Sequence, residues 1–267
     1  MWMSRSERAF RTPGEIVAAF HQGVEVLFDP ARYLAGFHSG LDALDRLAGG
    51  LRRGTLTLLG GEAGVGKTTL ALAYVRNAAL VNGAPTAITS PAVTSEQLLL
   101  RLIAAESCVP LEQFTKHGLD ATERTRVLAT WQQVSCSPLF INDIATNDPC
   151  GIRRSLRALL QRTEVQFAVV DAVGVEPTPG WFRRSVGVAE FYAGIAREFH
   201  VALLALARRL PADGEQHADR IIDLRRMGPS DEAEAWVHRN RFGPTGQVNL
   251  SFNADWLAFQ DPFESGC

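Results

Sequence analysis

Residues Gly61 to Thr68 have the types and the spacing needed to hold a row of phosphate groups. They read Gly-Glu-Ala-Gly-Val-Gly-Lys-Thr and fit the pattern G-x-x-x-x-G-K-[ST]. The glycines let the backbone curl so that its N–H groups can point at an anion. Lys67 would then reach the terminal phosphates, and the hydroxyl of Thr68 would bind Mg²⁺. The residues predicted to contact the nucleotide are Gly61, Glu62, Ala63, Gly64, Val65, Gly66, Lys67, Thr68 and Thr69.

The neighbouring sequence favours this interpretation over a chance glycine-rich turn. An apolar, β-favouring run, Thr55 to Leu59, precedes the loop, and an Ala- and Leu-rich stretch at 69–82 follows it as a predicted helix. The chain has 27 lysines and arginines, and only Lys67 and Lys116 are lysines. A lysine in the loop therefore indicates that a compact ammonium group is needed there. The predicted cofactors are ATP and Mg²⁺.

A second candidate site residue is Asp171, which ends the apolar run Val165-Gln-Phe-Ala-Val-Val-Asp. If this run is a strand of the same sheet, its final carboxylate lies beside the phosphate loop and can hold the water shell of Mg²⁺. An apolar run that ends in Asp is common, so this prediction depends on the loop upstream. Thr68 and Asp171 are thus the predicted Mg²⁺ ligands.

Strands and helices are predicted to alternate along most of the chain. After the first strand and helix, strands are predicted at 86–89, 139–143, 165–171 and 201–207, and helices at 95–106, 111–134 in two pieces, 149–163 and 187–199. Thr94 is a predicted N-cap without a capping box, because Glu96 lies one residue too early. Further strands follow at 220–224, 233–239, 246–252 and 256–259. This pattern predicts an α/β fold: a doubly wound, mainly parallel sheet with an antiparallel hairpin at its C-terminal edge.

The composition excludes some classes of function. Of the 267 residues, 46% are hydrophobic and 21% are charged, as in ordinary globular proteins. No apolar run has the length of a membrane span, and the formal charge of −2 gives no overall attraction to nucleic acid. The cysteines show no metal-ligand spacing, so we expect reduced thiols in a cytoplasmic protein without a membrane partner. They are Cys108, Cys136, Cys150 and Cys267.

Further motifs flank the phosphate loop in a fixed order. They are Phe37-His-Ser-Gly-Leu-Asp-Ala-Leu-Asp-Arg-Leu-Ala-Gly-Gly-Leu-Arg-Arg-Gly, Ser95-Glu-Gln-Leu-Leu-Leu-Arg-Leu, Glu215-Gln-His-Ala-Asp-Arg-Ile-Ile and Arg239-Asn-Arg-Phe-Gly-Pro-Thr-Gly. Together with the loop, they resemble the bacterial replicative DNA helicases of the DnaB type, which are RecA-like hexameric ATPases. The resemblance implies an N-terminal arm with a helix at 1–35, a RecA-like P-loop ATPase domain at 36–261 and a tail at 262–267.

This resemblance implies an ATP-dependent DNA helicase or translocase that acts in DNA replication as a ring, with ATP at each subunit boundary. The expected partners are further copies of the chain in a hexamer, single-stranded DNA and other replication proteins. The residues with implied catalytic roles are Lys67, Asp171, Arg239 and Arg241, of which the two arginines reach the γ-phosphate held by the next subunit. Candidate DNA contacts are Arg183, Arg184, Arg208 and Arg209. For all of these arginines, a solvated basic surface is the alternative.

The sequence departs from the family at positions concerned with hydrolysis and DNA contact. Ala92 falls where the family has its catalytic glutamate, and alanine cannot accept a proton. Gly174 and Arg208 fall where the family has glutamines, the loop after the 201–207 strand is short, and we expect the family's N-terminal helical domain to be absent. A second hypothesis is therefore an ATP-binding adaptor or regulator that is deficient in hydrolysis. Glu62 is a candidate substitute base, although nothing in the sequence favours it.

Overall fold

The structure, a computed structural model, describes residues 13–14, 35–91, 93–114, 118–142, 148–173, 187–226 and 231–262. The strands are β1 (Leu56–Gly60), β2 (Thr86–Thr89), β3 (Leu139–Asn142), β4 (Phe167–Val173), β5 (Ala202–Ala207), β6 (Arg220–Arg226), β7 (Glu232–Asn240), β8 (Gly246–Asn253) and β9 (Ala258–Gln260). The helices are α1 (Asp42–Ala48), α2 (Lys67–Arg76), α3 (Ser95–Ser107), α4 (Ala121–Cys136), α5 (Pro149–Leu160), α6 (Val188–Phe199) and α7 (Gly214–His217). α2 continues into a π-helical segment, Asn77–Val81.

One sheet joins these strands in the order β3-β2-β4-β5-β1-β6-β7-β8-β9. The strands from β3 to β6 run parallel to their neighbours. From β6 to β9, by contrast, each strand is antiparallel to the next. The predicted α/β fold, a mainly parallel sheet with an antiparallel C-terminal edge, is confirmed.

Apolar side chains cover both faces of the central strands. On β1, Leu59 belongs to one buried cluster, whereas Leu56 and Leu58 belong to another. On β5, Leu204 belongs to the first cluster and Leu203 to the second. Because successive residues of a strand point to opposite faces, these strands are buried on both sides, as in a sheet packed between two layers of helices. A ligand can then bind at the carboxyl ends of the parallel strands.

Side chains cap two of the helices reciprocally. At α3, the Thr94 hydroxyl accepts a hydrogen bond from the N–H of Gln97, and the Gln97 side chain accepts one from the N–H of Thr94. This is a capping box, so the prediction that α3 lacks one is wrong: Gln97, and not Glu96, lies in the third helical position and reaches back. Asp120 and Glu123 form the same arrangement at α4.

Several boundaries differ from those predicted. β4 continues past Asp171 to Val173, with a register shift against β5 after Val170. α5 ends at Leu160 rather than at 163, and the predicted helix at 111–134 consists of a helical turn at 111–114 and then α4. Of the predicted arm, the structure describes residues 13–14, which are helical. The rest of the arm, and the tail beyond residue 262, lie outside the described residues.

The fold bears on the predicted state of the cysteines and on the predicted lack of a membrane span. Cys136 and Cys150 are free, whereas Cys108 is disulfide-bonded. The prediction of reduced thiols is therefore wrong for Cys108, because spacing along the sequence does not reveal which sulfurs lie within bonding distance. Within the ranges that the structure describes, no helix is long and apolar enough to cross a bilayer.

Candidate nucleotide site

The loop that begins at Gly61 connects the carboxyl end of β1 to the first turn of α2. The φ angles are 144° at Gly61 and 106° at Gly66, in a region that residues with a Cβ rarely adopt. Space is also limiting: a Cβ on Gly61 would lie 2.5 Å from the carbonyl oxygen of Leu224, and one on Gly66 would lie 2.8 Å from Cζ of Phe259. β6 and β9 therefore hold the loop in the tight curve that its glycines permit.

Lys67 is the first residue of α2, and its ammonium group lies against the loop. Its Nζ donates to the carbonyl oxygens of Gly61 and Glu62, both at 2.7 Å. Burial lowers the pKa of Lys67 below its ordinary value; nearby carboxylates, Asp171 first among them, oppose this, and the charge of Arg208 adds to it. The positive charge is thus partly desolvated, a state that a bound anion would stabilise.

Asp171 links the phosphate loop to the strands beside it. Its Oδ2 accepts a hydrogen bond from the hydroxyl of Thr68 at 3.0 Å and another from the hydroxyl of Ser90 at 3.3 Å. Asp171 is 9% exposed and Ser90 is fully buried, so both donors act on a carboxylate with little access to water. The structure therefore brings together Thr68 and Asp171, the two residues predicted to bind Mg²⁺.

Ser90 has a place in the site that was not predicted from the sequence. It follows β2 directly, and β2 pairs with β4 so that Thr89 lies beside Val170. The residues that follow them, Ser90 and Asp171, are therefore neighbours. A polar residue at the end of a buried strand is a signal for such a contact, but the contact itself depends on which strand lies alongside.

The residues at this corner fit a nucleotide with Mg²⁺. α2 has no side-chain cap at its N-terminus, so its first N–H groups can meet an anion, which the helix dipole also favours. Thr68 and Asp171 offer the oxygen ligands that Mg²⁺ prefers. Among the residues with described positions, no group of three or more His, Cys, Asp and Glu side chains is arranged to hold a metal. Phosphate and water oxygens would therefore complete the metal's shell.

Arg239 and Arg241 lie near the amino end of β1, whereas the phosphate loop follows its carboxyl end. Nη1 of Arg241 donates to Oδ1 of Asp219 at 2.9 Å, and Nε of Arg239 donates to the carbonyl oxygen of Ala218 at 2.9 Å. Asp219 is 5% exposed, and its Oδ2 accepts from the N–H of Leu56, the first residue of β1. β1 spans roughly 13 Å between this edge and the loop, at about 3.3 Å per residue. These arginines are therefore separated from the phosphate loop of their own chain.

The turn that carries Arg241 is fixed to the segment before β1. Nδ2 of Asn240 donates to the carbonyl oxygen of Ala48 at 3.1 Å, and Oδ1 of Asn240 accepts from the N–H of Phe242 at 3.2 Å. The guanidinium of Arg52 lies 4.5 Å from the centre of the Phe242 ring. Because the turn is braced in this way, Arg241 is presented at a defined place on the surface with 53% of its side chain exposed.

Some residues singled out from the sequence lie outside the described residues. They are Ala92, Gly174, Arg183 and Arg184. Arg208 and Arg209 are described, and both are exposed just after β5. Glu62 is also exposed, and Lys67 is bonded to its carbonyl oxygen. Contact of these arginines with DNA therefore stays a prediction, and so does the role of Glu62 as a general base.

The strand order and the phosphate loop define the class: a RecA-like P-loop domain. Solved structures have the same fold. The ATPase domain of G40P matches with a TM-score of 0.79 at 19% identity, over 94% of this chain and 99% of that one. The RadB recombinase matches with a TM-score of 0.57 at 19% identity, over 84% of this chain and 99% of that one.

The chain belongs to the DnaB-like helicase C-terminal domain family, whose model matches residues 36–261, and the resemblance inferred from its motifs is confirmed. The replicative DNA helicase DnaB of Treponema pallidum (strain Nichols) is 27% identical over 275 residues, 96% of this chain and 63% of that protein. Its counterpart in Leifsonia xyli subsp. xyli is 28% identical over 257 residues, 85% of this chain and 56% of that protein. The chain thus spans about three fifths of the length of these relatives.

Proposed function

We propose that the chain binds ATP and Mg²⁺ at the phosphate loop and acts as the motor domain of a DnaB-like replicative helicase. The observation that carries the proposal is the 3.0 Å hydrogen bond between Thr68 and Asp171, beside the ammonium group of Lys67. The hydroxyl and the carboxylate are the ligand types for Mg²⁺, which would neutralise phosphate charge. Lys67 and the N–H groups of the loop would orient the phosphates for attack by water.

In this proposal, the chain forms a hexameric ring, and each ATP lies between two neighbouring copies. The support is the separation of Arg239 and Arg241 from the phosphate loop of the same chain, by the length of β1. The bond from Arg241 to Asp219 uses one of the five guanidinium N–H groups. The others can donate to the γ-phosphate held by the neighbouring copy, and this would stabilise the charge of the transferring group.

The proposed polymer partner is single-stranded DNA. The support is that relatives matching 96% and 85% of this chain are replicative DNA helicases. A solved DnaB-like replicative helicase, described with its interactions with primase, has a TM-score of 0.77 at 20% identity, over 94% of this chain and 67% of that one. Other replication proteins are therefore candidate partners too. The predicted contact with DNA is kept for Arg183, Arg184, Arg208 and Arg209.

A second candidate function is an ATP-binding adaptor or regulator that hydrolyses ATP slowly. The observation in its favour is Ala92, which cannot orient a water molecule or accept its proton. A missing general base costs roughly 10² to 10⁴ in rate. The phosphate loop, Thr68 and Asp171 would still bind the nucleotide, so ATP would act as a ligand that controls assembly.

A steady-state ATPase assay of the full chain, with and without single-stranded DNA, separates the two functions. The motor function predicts Mg²⁺-dependent hydrolysis that DNA stimulates. The adaptor predicts ATP binding in a titration, with turnover below the typical rate of about 10 s⁻¹ by roughly 10² to 10⁴. Absence of Mg²⁺-dependent ATP binding would exclude both functions.

A further inference from the structure

Asp219 lies between the strand that leads into the phosphate loop and the turn that carries Arg241. It directly precedes β6 and is 5% exposed. Its backbone carbonyl oxygen accepts from the N–H of Arg241 at 2.9 Å, and its Oδ1 accepts from Nη1 of Arg241 at 2.9 Å. Its own N–H donates to the carbonyl oxygen of Leu56 at 2.9 Å, and its Oδ2 accepts from the N–H of Leu56 at 3.1 Å. One buried residue thus connects the arginine to the first residue of β1.

The backbone and the side chain of Asp219 have separate effects on Arg241. The backbone bonds fix the place of the turn relative to β1, and they do not depend on the side chain at position 219. The direction of the guanidinium, by contrast, depends on Oδ1. Since 53% of the Arg241 side chain is exposed, it would have many rotamers without this partner. The carboxylate cannot turn away either, because Leu56 holds its other oxygen.

Arg239, two residues earlier, is held in a different way. Its Nε donates to the backbone carbonyl oxygen of Ala218 at 2.9 Å, so its acceptor is neutral. The acceptor of Arg241 is a carboxylate with a full opposite charge and little water to screen it. Of these two arginines, Arg241 therefore has the more firmly defined direction.

We infer that Asp219 is a positioning residue for the nucleotide site between two copies: it holds Arg241 in the direction in which the guanidinium meets the γ-phosphate bound by the neighbouring copy. The inference rests on the proposed ATP-binding ring and deepens it, because it names the group that prepares the arginine before assembly. A side chain that is already ordered loses less conformational freedom when it binds. The carboxylate therefore favours assembly around a triphosphate without touching the nucleotide.

Asp219→Asn separates the direction of Arg241 from its place. The two donors lie at different oxygens of Asp219, and an amide offers one oxygen and one NH₂ group. The amide oxygen should stay with the N–H of Leu56, which belongs to a fully buried residue, because a buried donor without an acceptor is costly. Arg241 then faces the NH₂ group and turns into water, while its backbone bond to Asp219 is kept.

The test is the self-association of the full chain with Mg²⁺ and AMP-PNP, a non-hydrolysable ATP analogue, measured by sedimentation velocity. The readout is the chain concentration at which half of the chain is assembled. Arg241→Ala should raise it by about 10-fold to 100-fold, as expected for the loss of a charge-assisted hydrogen bond. Asp219→Asn should raise it by about 3-fold to 10-fold, because the guanidinium must then be ordered during assembly. Added to Arg241→Ala, Asp219→Asn should cause less than about a twofold further change, because there is no arginine left to position.

Two controls separate positioning from stability. With ADP, which lacks the γ-phosphate, Asp219→Asn should leave assembly unchanged. Asp45→Asn is the matched variant, since Asp45 is 8% exposed and accepts from the N–H groups of Ser39 and Gly40, both at 2.9 Å. It removes a buried carboxylate elsewhere in the fold, so it should lower the melting temperature without changing assembly with AMP-PNP.

Full additivity of Asp219→Asn and Arg241→Ala would overturn the inference, because Asp219 would then act independently of the arginine. So would a normal response of Asp219→Asn to AMP-PNP, or an equal loss of assembly with ADP. If Arg241→Ala has no effect, or if the unaltered chain binds AMP-PNP without assembling, the shared site fails and the inference fails with it. If the unaltered chain does not bind AMP-PNP, the proposed function itself fails.

Discussion

The two ends of β1 hold their cations in different ways. At the carboxyl end, the ammonium group of Lys67 is bonded to two neutral carbonyl oxygens of its own loop. At the amino end, the guanidinium of Arg241 is bonded to Asp219, a buried carboxylate that is itself fixed by the N–H of Leu56. Lys67 therefore has neutral partners that a phosphate can replace, whereas Arg241 has a charged partner that fixes its direction.

The proposed ring accounts for this difference, since it makes the two ends halves of one site carried by different copies of the chain. The carboxyl end has the proposed phosphate-binding loop and the proposed ligands for Mg²⁺, and the amino end has an oriented cation that we propose binds phosphate. They lie at opposite ends of the same strand, so the arginine and the phosphate loop of a single copy cannot meet around one nucleotide. The predictions that follow change one end at a time.

The largest effect is expected at the carboxyl end. Lys67→Ala should abolish detectable ATP binding, because it removes the cation that faces the terminal phosphates. Isothermal titration measures the affinity, and Lys116→Ala, which removes the chain's other lysine, is the control. Unchanged affinity in Lys67→Ala would mean that this end of β1 is not the nucleotide site.

At the amino end, Arg241→Ala should leave ATP binding nearly unchanged and slow hydrolysis by roughly 10³-fold or more, the typical effect of losing an arginine finger. Single-turnover phosphate release measures the rate. Mixing this variant with Lys67→Ala should restore part of the activity, because some boundaries then combine an intact loop with an intact arginine. Mixed assemblies that recover no activity would show that the two ends do not belong to one site.

A third prediction tests the hypothesis that Ala92 stands in place of a catalytic glutamate. Ala92→Glu should raise the hydrolysis rate by roughly 10² or more, because a positioned base typically contributes 10² to 10⁴. The affinity for ATP should change little, since the deficit lies in the transition state. Ala92→Gln is the control, because it has a similar size and cannot accept a proton. Rapid hydrolysis by the unaltered chain would instead show that another residue acts as the base, and Glu62→Gln would test the first candidate.

The two ends also differ in how far the sequence predicts them. The loop could be predicted residue by residue, because a local turn and a helix N-terminus determine its geometry. Asp171 lies beside the loop, as expected. β4 was predicted to stop there, but it continues to Val173, with a register shift against β5 between Val170 and Val173. The contact between Arg241 and Asp219 joins the residue after β7 to the residue before β6. Neither periodicity nor spacing specifies such a pair, since it depends on strand order.

Ser90 is the clearest example of a contact that only the strand order reveals. Its hydroxyl reaches Asp171 because β2 lies next to β4, at the position after Thr89 and Val170. Asp219 is held differently. That carboxylate is fixed by a backbone N–H, which a side-chain substitution cannot remove. Asp171 is fixed by two hydroxyl groups, so its orientation can be loosened by a single substitution.

The smallest effect is therefore expected for Ser90→Ala. Loss of this hydrogen bond should lower the free energy of unfolding by about 1 kcal/mol and the melting temperature by about 2 to 4 °C. It should also raise the Mg²⁺ concentration needed for half-maximal ATP binding, by up to about tenfold, because Asp171 is then oriented by Thr68 alone. Ser107→Ala is the matched control, since this buried serine donates to the carbonyl oxygen of Ile103 within α3, at 2.7 Å.

Ser107→Ala should lower the melting temperature to a similar degree without changing the Mg²⁺ dependence. A shift in Mg²⁺ dependence that is confined to Ser90→Ala would establish that the serine positions the metal-binding carboxylate, beyond any part in stability. If both variants lose stability and neither changes the Mg²⁺ dependence, Ser90 only fills the core. Asp171 would then be held firmly enough without it, and the contrast drawn between the two buried carboxylates would be wrong.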